Sequence, residues 1–335
     1  MNRLFLPAEH PVEHALSGLV LSHPALLRLN KDPLYVAARE RHPGRRVGLV
    51  SGGGSGHEPL HTGFVGAGML DAAVPGRIFA SPHNRQVLEA SRDAAGEEGV
   101  LHIVKNYTGD RINFGIAAER LRAEGISVRR VLVDDDLATE STETATGRRG
   151  TGATVLVEKL LGGAADSGLG LDELASLGAE FAAASRSVAV ASRAQTSPSR
   201  GGEAFPLPEG MLEYGVGIHG ERAVAALKHP GFEQLVDRMT HQVLDALPRY
   251  AGGVLLLVNG LGATTPLELQ AVHARVTGLL EERGIDVTGR LVGSFVPALD
   301  MSGFSLTLTA LREDWHPYWH APARTPAFPL TETPR

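Results

Sequence analysis

Short apolar runs alternate with longer amphipathic stretches along the first half of the chain. Arg46–Val50, Leu70–Val74, Arg77–Ala80, Val100–Val104 and Ser127–Val133 are brief, rich in Val, Leu and Ile, and bounded by polar or glycine positions, which predicts buried strands. The intervening segments Glu58–Gly66, Asn84–Gly96, Arg111–Glu124 and Thr151–Ala165 are longer and predict helices. Met1–Leu29, with Val12, Leu16, Leu19 and Val20 at helical spacing, predicts a covering helix. This β–α alternation specifies an α/β fold whose first sheet is mostly parallel and doubly wound.

A helix is expected at Leu171–Ala184, after which strand patterns resume at Val188–Ser192, Tyr214–Ile218, Gly253–Val258, Arg290–Phe295 and Ser305–Leu308. The chain of 335 residues is long for one domain, so two α/β domains are expected, 1–183 and 184–335. Asp134–Arg149 is polar, acidic and then threonine-rich, too long for a tight connection, and reads as a lid or interface loop. Gln195–Gly210, rich in Ser, Pro and Gly, is expected to be an exposed connection.

Composition narrows the function classes. A net charge of -6, with no basic cluster interleaved with aromatics, gives no support to a nucleic-acid groove. The absence of cysteine excludes disulfides, thiolate metal sites and thiol nucleophiles. Met1–Glu13 has no apolar core of a secretory signal, and no run reaches membrane-spanning length, so a cytoplasmic protein without membrane attachment is expected.

The densest chemical signal is Ser51-Gly52-Gly53-Gly54-Ser55-Gly56-His57-Glu58-Pro59, directly after an apolar strand. In an open α/β sheet this is the edge where ligands bind, and adjacent glycines let backbone amides approach a ligand closely. The loop is not a P-loop, because no register supplies the Gly-Lys-Ser/Thr that reaches nucleotide phosphates, and it does not complete a dinucleotide fingerprint. A second strand runs into Lys105-Asn106-Tyr107-Thr108-Gly109-Asp110, so parallel pairing of the two strands would open both loops on one edge and gather His57, Lys105 and Asp110. Standing before a helix, Asp110 has an alternative role as its N-cap. A third motif, Gly215-Val216-Gly217-Ile218-His219-Gly220-Glu221, sets a histidine among glycines. His57 and His61 stand at i and i+4, which is metal-like spacing, but no third ligand lies near in sequence and no metal is expected.

Gly52–Pro59, Lys105–Asp110, Val133–Asp136, Gly147–Gly150, Gly215–Glu221, Asn259–Thr264 and Leu299–Phe304 resemble, in order, the motifs of the dihydroxyacetone kinase K-subunit family, over essentially the whole chain. The resemblance implies a subunit that holds dihydroxyacetone as a covalent hemiaminal on His219. It implies further that Gly54, Ser55, Gly56, His57, Lys105 and Asp110 bind the substrate, and that His57 and Asp110 do acid/base work. It places no cofactor on this chain. ATP with magnesium, or a bound ADP recharged by a phosphotransferase-system protein, would sit on a separate L subunit, and the chain itself would be a homodimer. Two alternatives stay open: a non-catalytic dihydroxyacetone sensor acting as a transcriptional coactivator, and a kinase subunit for another small ketose such as erythrulose.

Overall fold

The computed structural model describes residues 4–139, 147–197, 201–221, 225–249 and 252–328. Part of the expected lid loop, the tip of the Ser/Pro/Gly-rich connection and the last residues of the tail lie outside them. The chain forms two compact units that interleave in sequence, where the sequence pattern suggests one cut at residue 183. The first comprises Leu6–Val133, Thr154–Ala182 and Asp314–Arg335; the second comprises Met1–Phe5, Asp134–Ala153 and Ala183–Glu313.

The first unit contains α1 (Pro11–Ser22), β1 (Leu27–Lys31), β2 (Leu34–Ala38), β3 (Gly48–Ser55), β4 (Ala72–Ile78), α2 (Asn84–Ala94), β5 (Val100–Lys105), α3 (Thr108–Ala123) and β6 (Val128–Val133). It is completed by α4 (Ala153–Asp166) and α5 (Leu171–Ala183). Its six-stranded sheet runs β1-β2-β4-β3-β5-β6, with β4, β3, β5 and β6 parallel and the β1–β2 hairpin antiparallel at one edge. Every residue of β3 and β5 is buried, as expected for central strands of a parallel sheet covered on both faces. Val50, Val74, Val100 and Val104 form one face of the core with Val87 of α2 and Phe114 and Leu121 of α3. Because β3 is flanked by β4 on one side and β5 on the other, the strand order reverses between β3 and β5. Their carboxyl ends border the crevice where open α/β sheets bind ligands.

The second unit contains β7 (Ser185–Arg193), β8 (Met211–Tyr214), β9 (Ala225–Lys228), α6 (Phe232–Asp245), β10 (Val254–Gly260), α7 (Pro266–Glu282), β11 (Val287–Gly293) and β12 (Ser302–Ala310). Its sheet order is β11-β10-β12-β7-β8-β9, and β10–β11 is its parallel pair, the others being antiparallel. Val188, Val190, Leu256, Val258, Leu306 and Leu308 pack against α6 and α7. The short helix α8 (His316–His320) returns to the first unit. Among the described residues no helix is long and apolar enough to cross a membrane.

Four elements depart from the sequence pattern. The N-terminal helix ends at Ser22, and Leu27 already begins the edge hairpin. Arg77 and Ile78 continue β4 rather than starting another strand. Glu58–Gly66 holds a single 3-10 turn at Thr62–Phe64, since Pro59 biases the residue before it away from helix and Gly66 adopts φ +147°. The strand expected at Tyr214–Ile218 stops at Tyr214, where Gly215 turns the chain with φ +85°.

Two helical glycines separate packing from propensity. A methyl on Gly162 of α4 would drive into backbone at Gly68 and Met69, with the Met69 Cα 2.5 Å away, whereas one on Gly278 of α7 meets nothing within 4 Å. Gly162→Ala should therefore cost about 1–3 kcal/mol by overpacking. Gly278→Ala should gain about 0.5–1 kcal/mol from helix propensity. Urea unfolding of both variants checks the opposite signs.

Candidate functional site

β5 ends on Lys105 and α3 begins three residues later, so Asp110 lies in the first turn of α3, facing back to the strand end. The N-cap of α3 is Tyr107, without a side-chain cap, so Asp110 is not the N-cap. Lys105 is 1% exposed; its Nζ lies 3.7 Å from Asp110 Oδ2 and donates to Gly52 O at 3.2 Å. A Cβ on Gly53 would collide with that Nζ, which explains glycine at this position of β3. Asp110 is likewise buried, and its Oδ1 has no hydrogen-bond partner among the described residues. A buried carboxylate oxygen with unused acceptor capacity beside an ammonium is suited to receiving a hydroxyl proton from a small polyol or ketose.

Behind Lys105 stands a pair the sequence pattern does not single out for this role. His61 Nε2 is 2.7 Å from Lys105 Nζ, and His61 Nδ1 is 2.5 Å from Glu158 Oε1 and 2.9 Å from Ser51 Oγ. His61 is thus engaged by Lys105 and Glu158, not paired with His57. Burial pushes the Glu158 carboxyl up to about 8, against the pull of Ser51 and Lys105. Burial, then the charges of Lys105 and His57, hold His61 well below the usual imidazole range. Burial also lowers Lys105, with Asp110 and Glu158 opposing. One signal for Glu158 was present in sequence: with Lys159 it interrupts the otherwise apolar stretch Val155–Leu161, where a charge needs a partner.

His57 is buried, its ring 5.2 Å from that of Phe79. Gly54 and Gly56 let the loop pack closely there: a Cβ on Gly54 would lie 2.7 Å from Ala80 N, and one on Gly56 2.8 Å from the Phe79 ring, with Gly56 at φ +102°. Ser55 Oγ donates to Gly76 O at 2.8 Å, and Gly56 N donates to Glu58 Oε2 at 2.8 Å. The first unit therefore gathers Gly54, Ser55, Gly56, His57, Lys105 and Asp110 at the ends of two parallel strands, with His61 and Glu158 behind them.

His219 belongs to the second unit, in the turn after β8. Its Nδ1 is 2.8 Å from Glu221 Oε1, and its backbone N–H donates to Glu221 Oε2 at 2.5 Å. With Nδ1 donating to a carboxylate, the ring lone pair resides on Nε2, the form that is nucleophilic. Burial would raise Glu221, but the hydrogen bond and charge of His219 and the charge of Arg149 outweigh it and bring the carboxyl to about 2. Arg149 is itself fixed: Nε donates to Asp136 Oδ2 at 2.8 Å and Nη2 to Gly215 O at 2.9 Å. A side chain on Gly217 would strike both Glu221 and Arg149. Glu221, Arg149 and Asp136 stand inside motifs quoted above, but only the fold shows that they act on one histidine.

Residues 17–327 match the model of the Dak1 domain. The chain belongs to the Dak1 domain family. It is 38% identical to the PEP-dependent dihydroxyacetone kinase, dihydroxyacetone-binding subunit DhaK of Escherichia coli (strain K12), over 98% of this chain and 99% of that protein. Among solved structures, the dihydroxyacetone kinase from C. freundii in complex with AMP-PNP and Mg2+ is similar with a TM-score of 0.89 and 36% identity, covering 100% of this chain and 62% of that one. The dihydroxyacetone kinase operon co-activator Dha-DhaQ is similar with a TM-score of 0.87 and 33% identity, covering 94% of this chain and 97% of that one. The Dak1 fold is thus shared by kinase subunits and by a co-activator.

The buried carboxyl of this Dak1 chain gives a stability test. Glu158 keeps its proton to about pH 8 when folded but loses it near its ordinary value of 4.5 when unfolded. At this group folding takes up a proton between those values, so the contribution of Glu158 to stability is greatest below the window and falls as pH rises through it. Glu158→Gln should flatten that fall, measured by urea unfolding at pH 5, 7 and 8.5.

Proposed function

We propose that this chain is the dihydroxyacetone-binding subunit of a dihydroxyacetone kinase and carries the ketose as a hemiaminal on His219. The observation that carries the reading is the His219–Glu221 contact: a histidine among glycines, with Nδ1 held 2.8 Å from a carboxylate that stays ionised at neutral pH. The neutral ring adds through Nε2 to the carbonyl carbon, forming an N–C bond, and the π pair of the carbonyl moves to oxygen. That oxygen gains a proton and the ring gives up the one on Nδ1 towards Glu221, so the net change is a ring N–H exchanged for an O–H. Only a carbonyl compound can form this bond, which selects ketoses over polyols of equal size.

Asp110 accepts the proton of the substrate hydroxyl that attacks phosphorus, Lys105 offsets the charge that develops, and His57 donates to or accepts from the reacting oxygens. Gly54, Ser55 and Gly56 supply the close-packed loop. The resemblance assigns both sets of residues to one ketose. The phosphoryl donor belongs to a separate L subunit, as ATP with magnesium or as an ADP recharged by a phosphotransferase-system protein, and the chain works in the cytoplasm as a homodimer. The similarity to the co-activator supports a second reading, a dihydroxyacetone sensor. The presence of His57, Lys105 and Asp110 in the same chain as His219 favours the kinase subunit.

Turnover with an L subunit separates the two readings, and Asp110→Asn tests the base. With an L subunit supplied, the variant should retain dihydroxyacetone binding and lose about two to four orders of magnitude in kcat, since the amide cannot take the proton. The wild-type chain alone, with ATP and magnesium, should give no turnover. Unchanged kcat in Asp110→Asn would remove the base role of Asp110, and a wild-type chain inactive with every L subunit tried would favour the sensor.

A further inference from the structure

The family motifs include Lys105 but not His61 or Glu158, and the function proposed above leaves both unused. Each is buried: His61 is 4% exposed and Glu158 0%. They form a line from α4 through the loop after β3 to the end of β5, with contacts of 2.5 Å from Glu158 Oε1 to His61 Nδ1 and 2.7 Å from His61 Nε2 to Lys105 Nζ. Two buried ionisable groups would not be kept in an apolar helix and under a glycine loop without something to hold.

We infer that His61 and Glu158 are positioning residues that aim the Lys105 ammonium at Asp110 and the ligand crevice, through a fixed tautomer of His61. An ammonium beside Asp110 can only donate, so the His61 nitrogen facing it must carry the lone pair. The proton is then on Nδ1, where Glu158 Oε1 and Ser51 Oγ both accept. With the ring locked in this way, Lys105 spends one donor on His61 and one on Gly52 O, and the remaining N–H lies on the Asp110 side. The charged and titratable groups around Lys105 are Asp110 from α3, His57 and His61 from the loop after β3, and Glu158 from α4. Losing the acceptor at His61 Nε2 therefore leaves the ammonium freer to swing out of line with the reacting hydroxyl. This inference rests on the kinase reading for its effect on rate, but not for its effect on the ring.

Nitrogen-15 NMR of the wild-type chain reads the tautomer without any variant. The expected spectrum shows a neutral His61 protonated on Nδ1 from pH 6 upwards; an Nε2–H tautomer or an imidazolium in that range overturns the inference. In the enzyme assembled with its L subunit, His61→Leu should lower kcat about tenfold, the loss of one charge-assisted hydrogen bond, with a smaller change in KM. His61→Gln, whose amide oxygen can accept from Lys105, should recover most of that loss. Equal loss in both variants, parallel to their loss of melting temperature, would mark a structural role and overturn it. If the assembled enzyme phosphorylates no ketose, the kinase reading fails, and the ring spectrum still decides the positioning role.

Discussion

Burying the ammonium of Lys105 at the end of a central parallel strand sets the terms for everything around it. An unpaired charge there would be expelled or neutralised, so the fold must bring a carboxylate, a lone pair and a backbone carbonyl to one atom. Asp110 supplies the first because α3 starts three residues beyond the strand, His61 the second because the loop after β3 folds back under the sheet edge, and Gly52 the third. Gly53 has no side chain because the lysine occupies that volume. Glu158 interrupts the apolar face of α4 because His61 needs an acceptor on its other nitrogen. The reversal of strand order between β3 and β5 makes room for all of this at one end of the sheet.

The second unit solves a simpler problem, how to hold an imidazole in one tautomer and aimed. Glu221 grips both the ring and the backbone of His219, and that contact, followed by the charge of Arg149 anchored on Asp136 and Gly215 O, keeps the carboxylate ionised. The glycines of this motif are there for the groups that press on them. Gly217 admits Glu221 and Arg149, and Gly220, at φ +87°, admits Gln195. The histidine in this turn is held by its polar contacts with Glu221, which suits a residue whose lone pair is meant for a ligand.

The parallel strands and the two loops at their ends were legible because their signals are local: apolar runs of strand length followed by glycine or polar clusters. So was the pairing of His57, Lys105 and Asp110 with one sheet edge, which follows from parallel topology alone. The edge hairpin β1–β2 was hidden, since Leu27 and Leu29 lie close behind the apolar positions of the helix before it. The antiparallel character of the second sheet was hidden because strand runs do not reveal direction. Helix α7 carries a local signal of its own, a capping box with Thr265 accepting from Glu268 N and Pro266 at its first turn. The partnership of His61 with Glu158 spans nearly one hundred residues, and its near-sequence neighbour His57 suggested metal spacing on a helix that does not form.

The whole arrangement of the second unit turns on the proposed covalent bond between His219 and the ketose. The most direct measurement is carbon-13 NMR of dihydroxyacetone labelled at C2, bound to chain labelled with nitrogen-15 in histidine. The ketone resonance should be replaced by a tetrahedral carbon coupled to Nε2 of His219, and no such signal should form in His219→Ala. A bound ligand that keeps its ketone or hydrate resonance, uncoupled to any ring nitrogen, would contradict it.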